Sequence, residues 1–292
     1  MKSYDPKEWK KLIFDLPKAD TLRQLVPVLL VLGIYSGVLA FIELHYFSLS
    51  LKNHLRNLSL MHTLLGFVLS LLLVFRTNTA YDRWWEGRKL WGALVNNSRN
   101  LALKINSLFA DDKDIRTLFA TLIPDFATEL KNHLQAEQTR YSLDEAEHPE
   151  IANFSRINHI PNQIVAQMIN RLTQLQAQQK ISGEQLLFIN PELSSFMDIC
   201  GGCERIKNTP IPYSYSSFIK KFILVYTVTL PLDYVYSLHY LIIPVVIFIL
   251  YVLASLELIA EEIEDPFRKD DYAIPMERIA ENIQKNVVEI LS

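Results

Sequence analysis

The chain has 292 residues, of which 50% are hydrophobic and 21% are charged, and its formal net charge is −3. This mixture is too apolar for an ordinary soluble domain and too charged for a chain that lies wholly in a membrane. It predicts a protein that is part membrane and part cytosol. A charge so close to zero gives no indication of nucleic-acid binding. The 8 Gly are few for turn-dense β architecture or for glycine-rich nucleotide loops.

Residues 1–18 are polar and basic, and Trp9, Ile13, Phe14 and Leu16 recur among them at helical spacing. This pattern is typical of an amphipathic segment that lies on the surface of a lipid bilayer. We therefore expect residues 1–24 to form a cytosolic N-terminal segment.

Residues 25–75 contain two apolar runs, each long enough for a membrane-spanning helix. The first, Leu25 to Leu44, carries Gly33 and Gly37 at the spacing with which membrane helices pack closely. The second, Leu58 to Phe75, has 18 residues without a charge, which is the short end of what crosses a bilayer. We expect transmembrane helices 1 and 2 here.

The second run becomes strongly charged at Arg76 without any intervening Pro, so one helix can leave the membrane and continue in water. Three of the four Trp of the chain lie in this charged part, interleaved with Arg. Trp and Arg are enriched in protein interfaces, although an aromatic belt below the bilayer would also account for them. The residues that we predict at a subunit interface are Arg83, Trp84, Trp85, Arg88 and Trp91.

Residues 76–217 are predicted to form a helical cytosolic region, because apolar residues recur at helical spacing and never alternate with period two. The acidic turn Asp111-Asp112-Lys113 should end the first helix. A polar stretch from Gln135 to Asn158 reads as a loop. Further helices are expected to begin at Pro161 and Gly183, so the fold class is all-α.

Residues 218–260 supply transmembrane helices 3 and 4, as the apolar runs Ser217 to Leu232 and Leu238 to Ala260. The connection between these runs has no Lys or Arg, whereas the N-terminal segment and the stretch after Phe75 are rich in both. The positive-inside rule then places both termini in the cytoplasm. We expect a multi-pass protein of the inner (plasma) membrane.

Residues 261–292 form a predicted cytosolic tail that begins with the acidic run Glu261 to Asp265. Carboxylates below a membrane could hold a cation such as calcium. A salt-bridged segment facing Arg83, Arg88 or Arg205 is the favoured alternative. The tail ends in an amphipathic helix from Pro275 to Leu291.

Nothing in the sequence points to an enzyme. The seven His are scattered without a catalytic partner at a known spacing, and phosphate-binding or zinc-protease motifs are absent. Cys200 and Cys203 form a lone CxxC, which is more typical of a core pair than of a redox or zinc site. We expect no cofactor and no metal. A membrane-anchored enzyme and a membrane scaffold or sensor remain the alternative functions.

Three blocks of sequence resemble the bacterial bestrophin family. The first runs from Phe75 to Ala102, the second from Gly202 to Pro212, and the third from Glu261 to Phe267. This resemblance implies a homopentameric ion channel with four transmembrane helices per subunit and a large helical cytosolic region around a central pore. It implies passive conduction of small monovalent ions, chloride by the family's animal members and cations such as sodium in some bacterial members.

The resemblance also implies where the pore is narrow. Leu60, Leu64, Phe67 and Leu71 share one face of the second apolar helix, and by spacing alone this face would as well pack on other helices or on lipid. The family narrows its pore with apolar rings on this helix, which favours these four residues as the neck. A face through Thr63, Phe67 and Ser70, or packing of Phe67 on the first span, stays open.

A second constriction is implied at the cytosolic end of the pore, upstream of the Gly202 block. Counting back places it at Glu184 or Gln185. A ring of carboxylates would select cations and a ring of Arg or Lys would select anions. Because the apolar neck has neither, the sequence does not decide the sign of the permeant ion.

Overall fold

The computed structural model describes residues 20–46, 56–136, 159–270 and 273–292. Within these ranges the chain contains helices and no β-strand, which confirms the all-α prediction. The N-terminal segment before Asp20 and most of the predicted loop from Gln135 to Asn158 lie outside the described residues. The eight α-helices of the described ranges are α1 (Asp20–Tyr46), α2 (Arg56–Leu108), α3 (Lys113–Gln135), α4 (Ile160–Ala177), α5 (Gly183–Asn208), α6 (Tyr213–Leu238), α7 (Ile242–Glu264) and α8 (Met276–Leu291).

The chain divides into two compact units. The apolar unit comprises the described parts of residues 2–82 and 211–264, and therefore α1, the first part of α2, α6 and α7. The amphipathic unit comprises the described parts of residues 83–210 and 265–292, with the rest of α2, α3 to α5 and α8. Each unit has its own hydrophobic core.

Three stretches of the described chain are long and apolar enough to cross a membrane: Thr21–Tyr46, Ser59–Leu108 and Tyr213–Glu264. The third contains both α6 and α7, which turn back on each other at His239, where φ is 50°. Lys220 near the start of α6 contacts Glu261 near the end of α7 at 2.7 Å, so the two helices form an antiparallel hairpin.

The predicted close-packing glycines of the first span lie against α7. A Cβ atom added at Gly33 would lie 2.9 Å from Ile247 Cδ1, and one added at Gly37 would lie 3.4 Å from Ile243 Cδ1. The GxxxG spacing therefore allows close helix packing, as it does in other membrane helices, because the two glycines have no side chains to keep α7 away from the backbone of α1.

The apolar unit contains a buried ion cluster that the sequence analysis did not single out. Arg76 on α2 is 1% exposed and Glu257 on α7 is 2% exposed. The Arg76 Nη2 atom lies 2.7 Å from Glu264 Oε2, and its Nε atom lies 3.5 Å from Glu257 Oε1. Glu264 also accepts a hydrogen bond from the backbone N–H of Ile211 at 2.8 Å. This cluster joins α2, α7 and the chain entering α6.

The amphipathic unit is held together by helices that each bury one stripe. The break predicted at Asp111 to Lys113 is present, and the Asp112 side chain caps α3 by accepting a hydrogen bond from Ile115 N at 3.3 Å. Along α4, Ile164, Met168, Leu172 and Leu175 are buried, whereas Ile169 is 44% exposed. Residues that fill the core include Trp91, Leu101, Phe119, Phe126, Leu172, Phe196 and Ile283.

The ion cluster gives a stability prediction. Arg76→Leu leaves the buried Glu257 carboxylate unpaired, which should destabilise the protein by about 3–5 kcal/mol. The double change Arg76→Leu with Glu257→Leu should recover the part of that loss that comes from Glu257, whereas Glu264 loses Arg76 in both variants and retains the backbone N–H of Ile211. The comparison is thermal unfolding in mild detergent.

The matched control for this experiment is Lys220→Leu. Lys220 and Glu261 form an ion pair whose side chains are both 48% exposed, so its loss should cost less than about 1 kcal/mol. If Arg76→Leu were no more costly than Lys220→Leu, the buried cluster would not be stabilising the apolar unit.

Candidate functional site

The exposed face of α2 in the apolar unit is the candidate site. Its four predicted neck residues are all exposed in the single chain: Leu60 by 66%, Leu64 by 58%, Phe67 by 69% and Leu71 by 44%. Four apolar side chains in a row on one face form an exposed apolar surface. Such a surface is expected to contact lipid, to contact other subunits, or to line a narrow pore.

The opposite face of the same helix is buried. Leu69 and Leu73 are at most 2% exposed and His62 is 4% exposed. At about 100° per residue, the buried set is centred roughly half a turn away from the set that contains Leu64 and Phe67. Phe67 is therefore not packed on the first span of its own chain, because its side chain faces away from the chain's own core.

Two registers of the exposed face remain compatible with the structure. Thr63 and Ser70 are exposed as well, and their hydroxyls donate to the carbonyls of Ser59 and Gly66, at 2.9 and 2.8 Å. Because these hydroxyls are satisfied within the helix, both residues can face either lipid or a pore.

The predicted interface residues separate into buried and exposed ones. Trp91 is completely buried in the core of its own chain, which leaves its side chain no surface for a contact with another subunit. Trp84 and Arg83 are partly buried. Trp85 is 45% exposed, and the Lys89 ammonium lies 5.9 Å from its ring centre. The prediction of Trp91 at an interface rested on the enrichment of Trp and Arg in interfaces, and that composition does not distinguish a core residue from a contact residue.

The first two sequence blocks meet in the amphipathic unit through hydrogen bonds. The Arg83 guanidinium donates to the carbonyl oxygens of Ile206, at 2.6 Å, and Thr209. Ile206 lies in the last turn of α5 and Thr209 is the C-cap residue that follows it, so neither carbonyl has a partner within the helix. Arg205 forms an ion pair with Glu86.

Packing joins all three blocks in the same way. A Cβ at Gly202, in the second block, would lie 3.0 Å from Leu90 Cδ1, in the first. A Cβ at Gly87, in the first block, would lie 3.2 Å from the ring of Phe267, in the third. The resemblance blocks are therefore the pieces with which α2 is joined to α5 and to the segment after α7.

The predicted cytosolic aperture falls on the first turn of α5. Gln185 is partly buried and its Oε1 accepts a hydrogen bond from Ser182 N at 2.8 Å, which completes a capping box. Glu184 is exposed beside it. Leu187, which was not among the predicted aperture residues, is 72% exposed on the next turn of the same helix.

The acidic run at the start of the tail is partly neutralised. Glu264 pairs with Arg76 and Glu261 pairs with Lys220, two basic residues that the sequence analysis did not name as partners. These pairs favour the salt-bridged interpretation of Glu261 and Glu264 over a calcium site. Asp271 lies outside the described residues.

The two cysteines are free thiols buried in the core of α5. Burial, together with the nearby Glu204 carboxylate, raises the pKa of Cys200 to about 12. Burial likewise raises the pKa of the Cys203 thiol. Because the reactive form is the thiolate, both residues are unreactive core side chains rather than a redox pair.

One cluster of metal-ligand type occurs among the described residues, formed by His133, His159 and Glu204. Hydrogen bonds from His133 and His159 lower the pKa of the Glu204 carboxyl. Sequence pattern does not reveal this cluster, because Glu204 is 71 and 45 residues from His133 and His159 in the chain. No spacing rule covers such distances.

Comparison with known proteins decides the family. The family model for the bacterial/fungal bestrophin proteins matches residues 2–289 of this sequence. This chain belongs to that family. The resemblance seen in the three sequence blocks is thereby confirmed.

Relatives of this bestrophin-family chain carry a common name. A voltage-dependent anion channel-forming protein of Nostoc sp. is 35% identical over 232 residues, which cover 78% of this chain and 76% of the relative. A protein of the same name from Escherichia coli K12 is 29% identical, over 78% and 75%. One from Mesorhizobium japonicum is 27% identical, over 96% and 89%.

The fold is also that of a solved bestrophin. A bacterial bestrophin homologue from Klebsiella pneumoniae superposes with a TM-score of 0.76 at 24% identity, covering 91% of this chain and 98% of that chain. Its likeness shows that the arrangement of helices described above is the bestrophin fold.

The two faces of α2 predict opposite responses to truncation. Phe67→Ala removes an exposed side chain and should change the free energy of unfolding by less than about 0.5 kcal/mol. Leu69→Ala, two residues away on the buried face, should cost about 2–5 kcal/mol, because it leaves a cavity. Thermal unfolding of both variants in the same detergent compares them directly. Equal destabilisation would place Phe67 in a packed contact.

Proposed function

We propose that this chain forms a homopentameric ion channel that conducts small monovalent ions passively through a central pore. The observation that carries the proposal is the exposed apolar face of α2, which runs from Leu60 to Leu71 opposite a fully buried face. Membership of the bestrophin family supports the channel, and the names of the relatives support anions, with chloride as the first candidate.

The apolar unit supports four membrane crossings per subunit, made by α1, the first part of α2, α6 and α7. Because α6 and α7 form a hairpin, the stretch Tyr213–Glu264 accounts for two of them. An even number of crossings puts both termini on one side, and the distribution of Lys and Arg makes that side the cytoplasm. We place the protein in the inner membrane of the cell.

A pore requires more than one chain. In each of the three candidate spans, only 22% of the most apolar window is buried in the single chain. One subunit does not enclose a path for ions, whereas a ring of subunits that each contribute one face of α2 does. The number five comes from the family resemblance, and Trp85 and Arg88 are the exposed residues of the predicted interface.

The proposed neck consists of stacked apolar rings. Leu64 and Phe67 lie about one helical turn, or about 5 Å, apart along α2. Such rings offer an ion no replacement for its hydration shell, and they can close by losing water. Ion flow through the neck should therefore depend on side-chain size more than on charge.

The sign of the permeant ion would then be set away from the neck. Five copies of Glu184 at the cytosolic aperture would attract cations, which opposes the anion preference suggested by the relatives' names. Gln185 is less suited to line an aperture because its side chain is used in the capping box.

The test is conduction by the purified full-length protein in planar bilayers, with a NaCl gradient across the membrane. We expect currents whose reversal potential lies near the Nernst potential of chloride. Light scattering of the same preparation should give a protein mass of five times the 33.8 kDa chain. A monomeric or dimeric preparation without current would contradict the channel.

The role of Glu184 is tested in the same bilayers. Glu184→Gln should move the reversal potential further towards that of chloride, because it removes a ring of negative charge. The control is Glu277→Gln, an exposed acid on α8 that pairs with Lys131 and should leave the reversal potential unchanged. If Glu184→Gln behaves like this control, Glu184 does not line the ion path.

A further inference from the structure

Three helices of the amphipathic unit bring two imidazoles and one carboxylate together. His133 lies in the last turn of α3, His159 precedes the first turn of α4, and Glu204 lies on α5. The Nε2 atoms of His133 and His159 lie 2.7 and 2.6 Å from the same Glu204 Oε1 atom. The three ligand atoms all lie within 4.8 Å of one another.

Further hydrogen bonds fix the helix ends that carry these side chains. The Nδ1 atom of His159 accepts a hydrogen bond from Asn162 N at 3.2 Å, which makes His159 the N-cap of α4. Lys207, one turn after Glu204, donates to the carbonyl of Leu134, the residue after His133. The end of α3 and the middle of α5 are thereby fixed beside each other.

We propose that His133, His159 and Glu204 bind a divalent transition-metal ion, with Zn²⁺ as the first candidate. Two imidazole nitrogens and one carboxylate oxygen are a donor set that zinc accepts, whereas Ca²⁺ and Mg²⁺ require oxygen ligands throughout. The side chains are 22%, 28% and 28% exposed, so an ion can enter and water can take the fourth position.

The geometry needs a small adjustment to take the ion. Tetrahedral zinc with bonds of about 2.0–2.1 Å holds neighbouring ligand atoms about 3.3–3.4 Å apart. The distances from the Glu204 Oε1 atom to the two histidine Nε2 atoms must therefore lengthen by roughly 0.7 Å.

Binding would change the tautomer of the imidazoles. An ionised carboxylate only accepts hydrogen bonds, so both Nε2 atoms carry hydrogen without the metal. When the ion takes the Nε2 positions, a neutral imidazole keeps its one hydrogen on Nδ1, and no net proton is lost. In His159 this hydrogen would displace the N–H of Asn162, which would turn to water as its partner. Metal binding should therefore weaken the cap of α4.

Metal binding at this site has a structural consequence. His133 and His159 are the ligands at the two ends of the chain segment between α3 and α4. An ion that binds both of them and Glu204 links three helices and stabilises the folded state by mass action. We expect the metal to raise the unfolding temperature of the protein.

The experiment uses the full-length protein in detergent after treatment with a chelator. Zn²⁺ is titrated by calorimetry, and Co²⁺ is added as a spectroscopic probe of the same ligands. We expect one ion per chain, a visible absorption spectrum of four-coordinate Co²⁺, a higher unfolding temperature with Zn²⁺, and no such shift with Mg²⁺. A chain that binds no Zn²⁺ would show that the cluster is a hydrogen-bonding network only.

The variants remove ligands while retaining the local structure. His159→Asn retains a good N-cap, and Glu204→Gln retains a hydrogen-bond acceptor. Each should weaken Zn²⁺ binding at least about tenfold, since even indirect partners of metal ligands have effects of that size. With chelator present, both should unfold close to the parent temperature, and His133→Gln supplies a third, independent variant.

The control is His45→Asn, which removes an exposed histidine on α1 that is remote in sequence from the cluster. It should bind Zn²⁺ as the parent chain does. If Zn²⁺ bound equally well to His159→Asn, Glu204→Gln and His133→Gln, the ion would lie elsewhere and the proposed site would be wrong.

Discussion

The rotation of α2 in the apolar unit is the constraint on which the proposed pore depends, and two buried polar groups fix it. His62 contacts Thr229 at 3.0 Å and Asp233 at 3.5 Å on α6. Arg76 contacts Glu257 and Glu264 on α7. These anchors lie on one face of α2, about 21 Å apart along its axis. Rotation of α2 would turn the charged Arg76 side chain towards lipid, which has a high free-energy cost. The helix is therefore fixed, and its opposite face points away from the core of the apolar unit.

The apolar unit therefore exposes an apolar surface that its own chain does not cover, while the buried Arg76 is paired with carboxylates of the same chain. In water such a surface would cause aggregation, but in a bilayer it is available for lipid, for another subunit and for a pore. The amphipathic unit is stabilised by contacts between its own helices. Arg83 donates hydrogen bonds to backbone carbonyls, and Gly87 and Gly202 leave room for the neighbouring side chains of Phe267 and Leu90. In this unit, the residues of the three family sequence blocks mainly pack the helices of one chain against each other.

The sequence predicted the elements well where one physical signal dominated. The apolar run that becomes charged at Arg76, the break at Asp112 and the buried stripe of α8 all follow from local pattern. Trp91 shows the limit, because an aromatic residue beside charges has the same periodicity whether it fills its own core or contacts another chain. The cluster of His133, His159 and Glu204 was beyond sequence reasoning, since only the packing of three helices brings these distant residues together.

Cysteine accessibility along α2 tests the pore-facing assignment most directly. Single Cys substitutions at positions 60 to 75 would be exposed to a water-soluble thiol reagent while current is recorded in bilayers. The native Cys200 and Cys203 are buried with raised thiol pKa values, so the unmodified chain supplies a silent background. We predict that the reagent alters the current at positions 60, 64, 67 and 71 and leaves positions 62, 69 and 73 unaffected. A uniform lack of effect at the first set, or an effect centred on the buried set, would contradict a pore lined by this face of α2.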